Sequence, residues 1–492
     1  MEERSSGVLL HISSLPGEFG IGDFGSGAYN FVDFLYKSGQ KNWQILPLGI
    51  TSYGDSPYQS FSAFAGNPYF IDLNEFIGSG FISREEVKKF DFGEDPSKVN
   101  YGLLYENKML LLKQAYSNSK DLIIEDLEGF VKENYGWIRD FALFMAIKES
   151  YGNISWLEWD RQYKIYNSKE VLDFEKKYKD EIYFWVFTQY YFWKQWKKLK
   201  EFANKKGIKI IGDLPIYVST DSVDVWKDPH LFKLDKDFQP IAVAGVPSDD
   251  FSELGQLWGN PTYNWENMEK EGYSWWVDRI NHSFKQFDIL RIDHFKGFES
   301  FWEVEFQSDD ARVGEWRQGP GIELFRRIEK ELGSLDIVAE DLGFNTENLE
   351  KLVRETGFPN MKILQFGFNH REENNHMVHQ FKENMLAYTG THDNQTIMGW
   401  FKEAGIEDKE YVEEYFKLDK IEGYNWGIIR GLWASVARLT IVPLQDILGL
   451  DNRARMNTPA SLGGNWTWRY RESMLKDRLA RKLKDVTKLY WR

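Results

Sequence analysis

The chain has 492 residues, and 61 Lys plus Arg against 76 Asp plus Glu give a formal charge of −15, which disfavours nucleic acid or anionic lipid as a partner. It has no cysteine, which excludes disulfides, thiolate metal sites and thiol nucleophiles while leaving the redox compartment open. No apolar run approaches the ~20 residues of a membrane span. The N-terminus MEERSSGVLLHISSLPG lacks a basic segment followed by a long apolar one, so it does not read as a signal peptide and a cytoplasmic chain is expected. Aromatics are abundant, with 20 Trp, 25 Tyr and 36 Phe. Most such rings fill cores, but flat rings also suit the apolar faces of sugars, so an excess in loops is a weak carbohydrate signal.

Short runs rich in Val, Ile, Leu, Phe and Tyr mark candidate buried parallel strands. The first two are GVLLHIS near 7–13 and NWQILPLG near 42–49. Residues 54–200 follow, too many for one crossover helix; stretches such as YGLLYENKMLLLKQAYSNSKDLIIEDLEGFVKEN have helical periodicity, so this is read as a mostly helical insertion. IKIIGDLPIYV near 208–218 is the third strand. An excursion over 219–285 then contains AGVPSDDFSELGQLWGNPTYNW, read as a turn-rich loop that supplies a lid at about 245–262, since loops over a rigid scaffold carry binding residues. The remaining strands are FDILRID near 287–293, LDIVAED near 335–341, MKILQFGF near 361–368, MLAYTGTHD near 385–393 and LTIVPLQDIL near 439–448. Patterned helical stretches such as GIELFRRIEKELG and TENLEKLVRETG separate most of them. Eight strands in βα alternation predict an α/β fold, a single (β/α)8 TIM barrel over 1–492 with large insertions.

Three acids stand at the ends of these runs: Asp293, Glu340 and Asp393. In such barrels catalytic residues arrive at the carboxyl rim from several strands. Glycosidic-bond chemistry needs two carboxyl groups in different protonation states, one attacking or stabilising the anomeric carbon and one exchanging a proton with the leaving and entering oxygens. Arg291 shares a strand face with Asp293 and would favour its ionised form, which suits a nucleophile. Glu340, one β/α unit later in a more apolar setting, suits the protonated partner. Asp393, flanked by His392 and Asn394, would bind hydroxyls and stabilise the transition state. By spacing alone, these acids could equally cap helices and pair with basic side chains.

The strings GDLPIYV, RIDHFKGF, VAEDLG, GTHDN, GDSPYQSFSAFAGNPYFIDL, GQLWGNP and NTPASLGGNWTWR resemble the 4-α-glucanotransferase family, also called amylomaltase or disproportionating enzyme, a relative of the α-amylases. The resemblance covers nearly the whole chain. It implies transfer, with retention, of a 1,4-α-glucan segment to the 4-hydroxyl of another glucan or glucose through a covalent glycosyl-enzyme. It further implies Asp293 as nucleophile, Glu340 as acid/base and Asp393 as transition-state stabiliser. Asp213, Arg291 and His392 become substrate contacts, Tyr58 a stacking platform, and Gln256 and Trp258 acceptor-side residues of the lid; Asn465 is a further binding candidate whose alternative is a helix cap. The implied partners are maltooligosaccharides, glucose and α-1,4-glucan polymers, with no cofactor and no metal. The chain departs from the family where Pro-Pro-Asp-Tyr often precedes Phe-Ser, having Pro247, Ser248, Asp249 and Asp250, and also at Lys296 and Gln395. The departure at position 250 bears on the acceptor side.

Two other readings use the same acids. An α-glucan hydrolase would pass the intermediate to water. An Mg²⁺-dependent barrel enzyme would gather carboxylates around a cation but would also need a Lys or His base at another strand end, and no candidate strand ends in Lys. A glucan-binding protein without activity is a third, disfavoured by acids at all three positions.

Overall fold

The computed structural model describes residues 3–248, 252–343, 346–461 and 463–492. Eight strands, β1 (Ser5–Leu9), β2 (Asn42–Gln44), β3 (Lys209–Leu214), β4 (Ile289–Ile292), β5 (Ile337–Ala339), β6 (Asn360–Ile363), β7 (Met385–Tyr388) and β8 (Leu439–Pro443), are parallel and pair in sequential order from β6 through β8 to β1 and on to β5. This is the expected (β/α)8 barrel. Its seam lies between β5 and β6. There the Ala339 N–H donates to the Pro359 carbonyl at 2.9 Å, while the Asp341 carboxylate accepts from the Met361 N–H at 3.0 Å and the Asn360 amide at 3.1 Å.

The strands are buried on both faces, as a parallel sheet covered by helices requires, and the helices are one-sided. In Ile322–Leu332 the buried residues are Leu324, Phe325 and Ile328, and the helix stops at Gly333, whose φ is 77°. In Glu347–Thr356, Thr346 caps the Leu349 N–H and Gly357 terminates the last turn at φ 68°; only glycine adopts that backbone freely. Every predicted run overshoots its ladder. MLAYTGTHD continues five residues past Tyr388, and LTIVPLQDIL passes into the helix Leu444–Leu448. The reason is that the chain beyond each ladder stays buried at the barrel mouth, so its apolar character persists after the hydrogen bonds end.

Between β2 and β3 stand three long helices, Tyr101–Glu133, Tyr135–Ser150 and Lys179–Lys205. The last of these fixes the loop that carries Tyr58. The Gln189 amide accepts from the Gly66 N–H at 2.8 Å and donates to the Gly66 carbonyl at 2.9 Å, and a Cβ on Gly66 would fall 2.2 Å from the Phe192 ring.

The stretch read as a turn-rich loop instead forms two strands, Ala242–Val246 and Gln256–Pro261, joined to Ser300–Glu305 and Glu315–Gln318 in an antiparallel sheet. Its core is small, with Val243, Val304 and Ala311 covered by Trp302 and Phe306, which is why little hydrophobic pattern marked it. Gln256 and Trp258 therefore sit on a strand; Asp249, Asp250 and Phe251 of the expected lid lie outside the described residues. Among the described residues no helix is long and apolar enough to cross a membrane.

Candidate active site

The β3–β4 register sets Asp213 opposite Arg291. From there Arg291 Nη1 reaches both Asp213 oxygens, at 2.6 and 2.7 Å, and Asp293 Oδ1 at 3.0 Å. The Tyr58 hydroxyl donates to Asp213 Oδ2 at 2.8 Å. The side chains of Asp213 and Arg291 are 0% and 6% exposed, whereas Asp293 is 29% exposed. A single nitrogen of Arg291 thus links a buried carboxylate, Asp213, to a more accessible one, Asp293. Burial opposes the guanidinium charge, but Asp213 and Asp293 more than compensate and keep it protonated.

Ile292 pairs with Ala339 across β4 and β5, so Asp293 and Glu340 follow at adjacent positions on neighbouring strands. Glu340 is 9% exposed and accepts from two backbone amides, His294 N–H at 2.6 Å and Leu342 N–H at 3.0 Å. His294 delivers its amide from a left-handed backbone, φ 50° and ψ 49°, a conformation uncommon outside glycine, Asn, Asp and His. Burial pushes the Glu340 carboxyl up to about 8; Arg291 and the two amides pull it down, and the charge of Asp293 adds to the rise. Near neutral pH it holds a proton.

Asp393 lies in the loop after β7. His392 Nε2 is 3.2 Å from its Oδ2 and the Asn457 amide donates to its Oδ1 at 2.6 Å. Burial alone would raise this carboxyl, but the charge and hydrogen bond of His392 and the Asn457 amide hold it at about 2. Within the loop, Asn394 Oδ1 accepts from the Thr391 N–H and hydroxyl at 2.8 and 3.0 Å, closing the turn. Tyr58 stacks on His392, ring centroids 5.2 Å apart and planes 19° from parallel, with Trp466 5.9 Å from Tyr58. Across the site Trp258 meets the His294 ring edge-on at 4.8 Å, and its indole N–H donates to Gln256 Oε1 at 3.3 Å.

The structure thus brings Tyr58, Asp213, Arg291, Asp293, Glu340, His392 and Asp393 together, with Gln256 and Trp258 on one wall. Asn465 is turned to its own loop: its Oδ1 accepts from the Thr458 N–H at 3.0 Å and its amide donates to Ser461 at 3.2 Å. It caps no helix. Sequence reasoning passed over Asn457, Arg455, Trp466 and the His294 amide. Asn457 and Trp466 stood inside NTPASLGGNWTWR, yet nothing in that string separates the amide that faces Asp393 from the one that closes the loop.

Among the described residues no group of three or more His, Asp or Glu is arranged to hold a metal ion. The acids are instead committed to Arg291, to backbone amides, and to His392 with Asn457.

The sequence signature described as 4-alpha-glucanotransferase matches residues 10–475. The chain belongs to the 4-α-glucanotransferase family. The 4-alpha-glucanotransferase of Clostridium butyricum is 49% identical over 485 residues, 98% of this chain and 100% of that protein. That of Streptococcus pneumoniae is 47% identical over 496 residues, 100% of this chain and 98% of its own. The solved structure of the amylomaltase from Streptococcus agalactiae in complex with acarbose superimposes with a TM-score of 0.97 at 47% identity, covering 100% of both chains. The reaction of this 4-α-glucanotransferase family member is glucan transfer, which leaves the metal-dependent alternative without support.

Proposed function

We propose that transfer proceeds by a retaining double displacement in which Asp293 is the nucleophile and Glu340 the acid/base. One observation carries this reading: the two carboxyls end neighbouring strands with opposite electrostatics, Asp293 in contact with Arg291 at 3.0 Å and Glu340 buried and held protonated. Adjacent strands lie about 4.8 Å apart, a backbone spacing that allows carboxyls at neighbouring strand ends to approach the ~5–5.5 Å separation of retaining glycosidases. In the first half-reaction an Asp293 oxygen attacks the anomeric carbon while Glu340 gives its proton to the departing 4-oxygen. In the second, the now ionised Glu340 takes the proton from the acceptor 4-hydroxyl as that oxygen displaces Asp293.

Asp393, anionic and fixed by Asn457 and His392, stabilises the oxocarbenium-like transition state and binds sugar hydroxyls. Asp213, Arg291 and His392 supply polar contacts, and Tyr58 a flat platform. Gln256 and Trp258 line the acceptor side, where an aromatic wall favours a sugar over water. Asn465 contributes by shaping the loop beside Trp466. The donors and acceptors are maltooligosaccharides, glucose and α-1,4-glucan polymers, in keeping with the acarbose complex of the S. agalactiae relative.

The test is to supply Glu340→Gln with an α-maltosyl fluoride, whose leaving group needs no acid. The enzyme should gain the mass of one maltosyl group on the peptide containing Asp293. Modification at another residue, or none while wild type turns the same fluoride over, overturns the nucleophile assignment.

A further inference from the structure

The loop that carries His392 and Asp393 runs from Thr389, directly after β7, to Ile397, the first residue of the helix Ile397–Glu403. Its two ends converge on one side chain. Asp446, 1% exposed on the short helix after β8, accepts from the Thr389 hydroxyl through Oδ2 at 2.7 Å and from the Ile397 N–H through Oδ1 at 2.7 Å. Its own carbonyl accepts from the Asn425 amide at 2.7 Å, so Asp446 is itself held from behind. The chain that follows grips the loop between those ends. Asn452 Oδ1 accepts from the Thr396 N–H at 3.2 Å, the Asn457 N–H donates to the His392 carbonyl at 3.1 Å, and Arg455 donates to the Asp393 carbonyl at 2.5 Å.

We propose that Asp446 is a positioning residue for glucan transfer, a clasp joining both ends of the 389–397 loop so that Asp393 and His392 face the anomeric carbon at a fixed height. It touches no substrate and acts through Asp393, so the inference rests on the role proposed for that residue. A carboxylate suits the task because its two oxygens serve two donors on separate segments, whereas an alkyl side chain would leave a buried N–H and hydroxyl unpaired. Burial, partly offset by the Ile397 amide and the Thr389 hydroxyl, pushes its acid up to about 7, so a neutral amide of the same shape is close to a form the native side chain itself adopts.

The test measures kcat and KM for maltotriose disproportionation in Asp446→Ala, Asp446→Asn and Thr389→Val, with Asp393→Asn as control. A displacement near 1 Å at a reacting group costs about 100-fold in rate. Asp446→Ala should therefore lose kcat about 100-fold with KM changed less than threefold. Asp446→Asn should recover to within about tenfold of wild type, its oxygen accepting from Ile397 and its amide donating to Thr389. Thr389→Val, which unties one end, should lose about tenfold and decides the matter if Asp446→Ala does not fold. An unchanged kcat in Thr389→Val, equal losses in the Asn and Ala variants, or a loss confined to KM overturns the clasp. A fully active Asp393→Asn would instead overturn the role of Asp393.

Discussion

Replacing Glu340 by Gln should change how stability depends on pH, and by an amount the structure sets. The carboxyl ordinarily titrates at 4.5 and sits at about 8 in the fold. Between those values the folded state keeps a proton that the unfolded state releases, so stability is highest below 4.5 and declines as pH rises toward 8. At about 1.36 kcal/mol per pH unit, the loss from pH 5 to pH 8 comes to roughly 3–4 kcal/mol after allowing for partial titration at both ends. Unfolding entropy near 2.1 cal/mol/K per residue over 492 residues is about 1 kcal/mol/K, so the melting temperature should drop by roughly 3 °C. Gln cannot titrate. It also cannot accept from both His294 and Leu342, because its amide nitrogen has no free lone pair, so the variant carries an offset of about 1–3 kcal/mol that is independent of pH. Scanning fluorimetry of both proteins in matched buffers at pH 5, 6, 7 and 8 isolates the effect. Wild type should lose ~3 °C relative to Glu340→Gln across that range. A difference that stays constant with pH would mean Glu340 is ionised throughout in the fold and is no reservoir for a proton.

The same proton governs turnover. As pH rises through about 8, kcat/KM should fall, approaching tenfold per pH unit, because Glu340 is then ionised in the free enzyme; a flat profile to pH 10 in a stable enzyme would contradict its role as acid. Trp258→Ala should lower transfer from maltotriose by about tenfold while hydrolysis, read as new reducing ends, falls less; equal losses would sink the acceptor-side role. Asp341→Ala leaves the Met361 N–H and the Asn360 amide without their acceptor and should cost about 1–3 kcal/mol in urea denaturation, with an unchanged midpoint excluding a role for that carboxylate in closing the barrel.

The barrel was readable because most strands are buried on both faces and lie within runs rich in Val, Ile, Leu, Phe and Tyr. Arg291, Asp293 and Glu340 were readable because each lies within or directly after such a run, where period-two geometry determines its direction. The antiparallel sheet was not, since among the described residues its core is only Val243, Val304 and Ala311, and the strand Gln256–Pro261 adds no residue to it. The partners of Asp393 were hidden for another reason. Asn457 and Asp446 are 64 and 57 residues from the loop positions they bind, and a hydrogen bond between distant segments leaves no local periodicity. Asn465 shows the converse, a residue whose sequence setting suggested the substrate and whose amide serves its own turn.

The seam between β5 and β6 links the chemistry to the architecture in three consecutive residues. Ala339 gives its amide across the gap, Glu340 is the proposed acid/base, and Asp341 stitches the far edge. The strand that leads into Asp293, by contrast, is zipped to neighbours on both sides. The acid proposed as nucleophile therefore follows a strand laddered on both edges, while the proposed proton donor follows one laddered on a single edge, its other edge held by one backbone bond and one carboxylate.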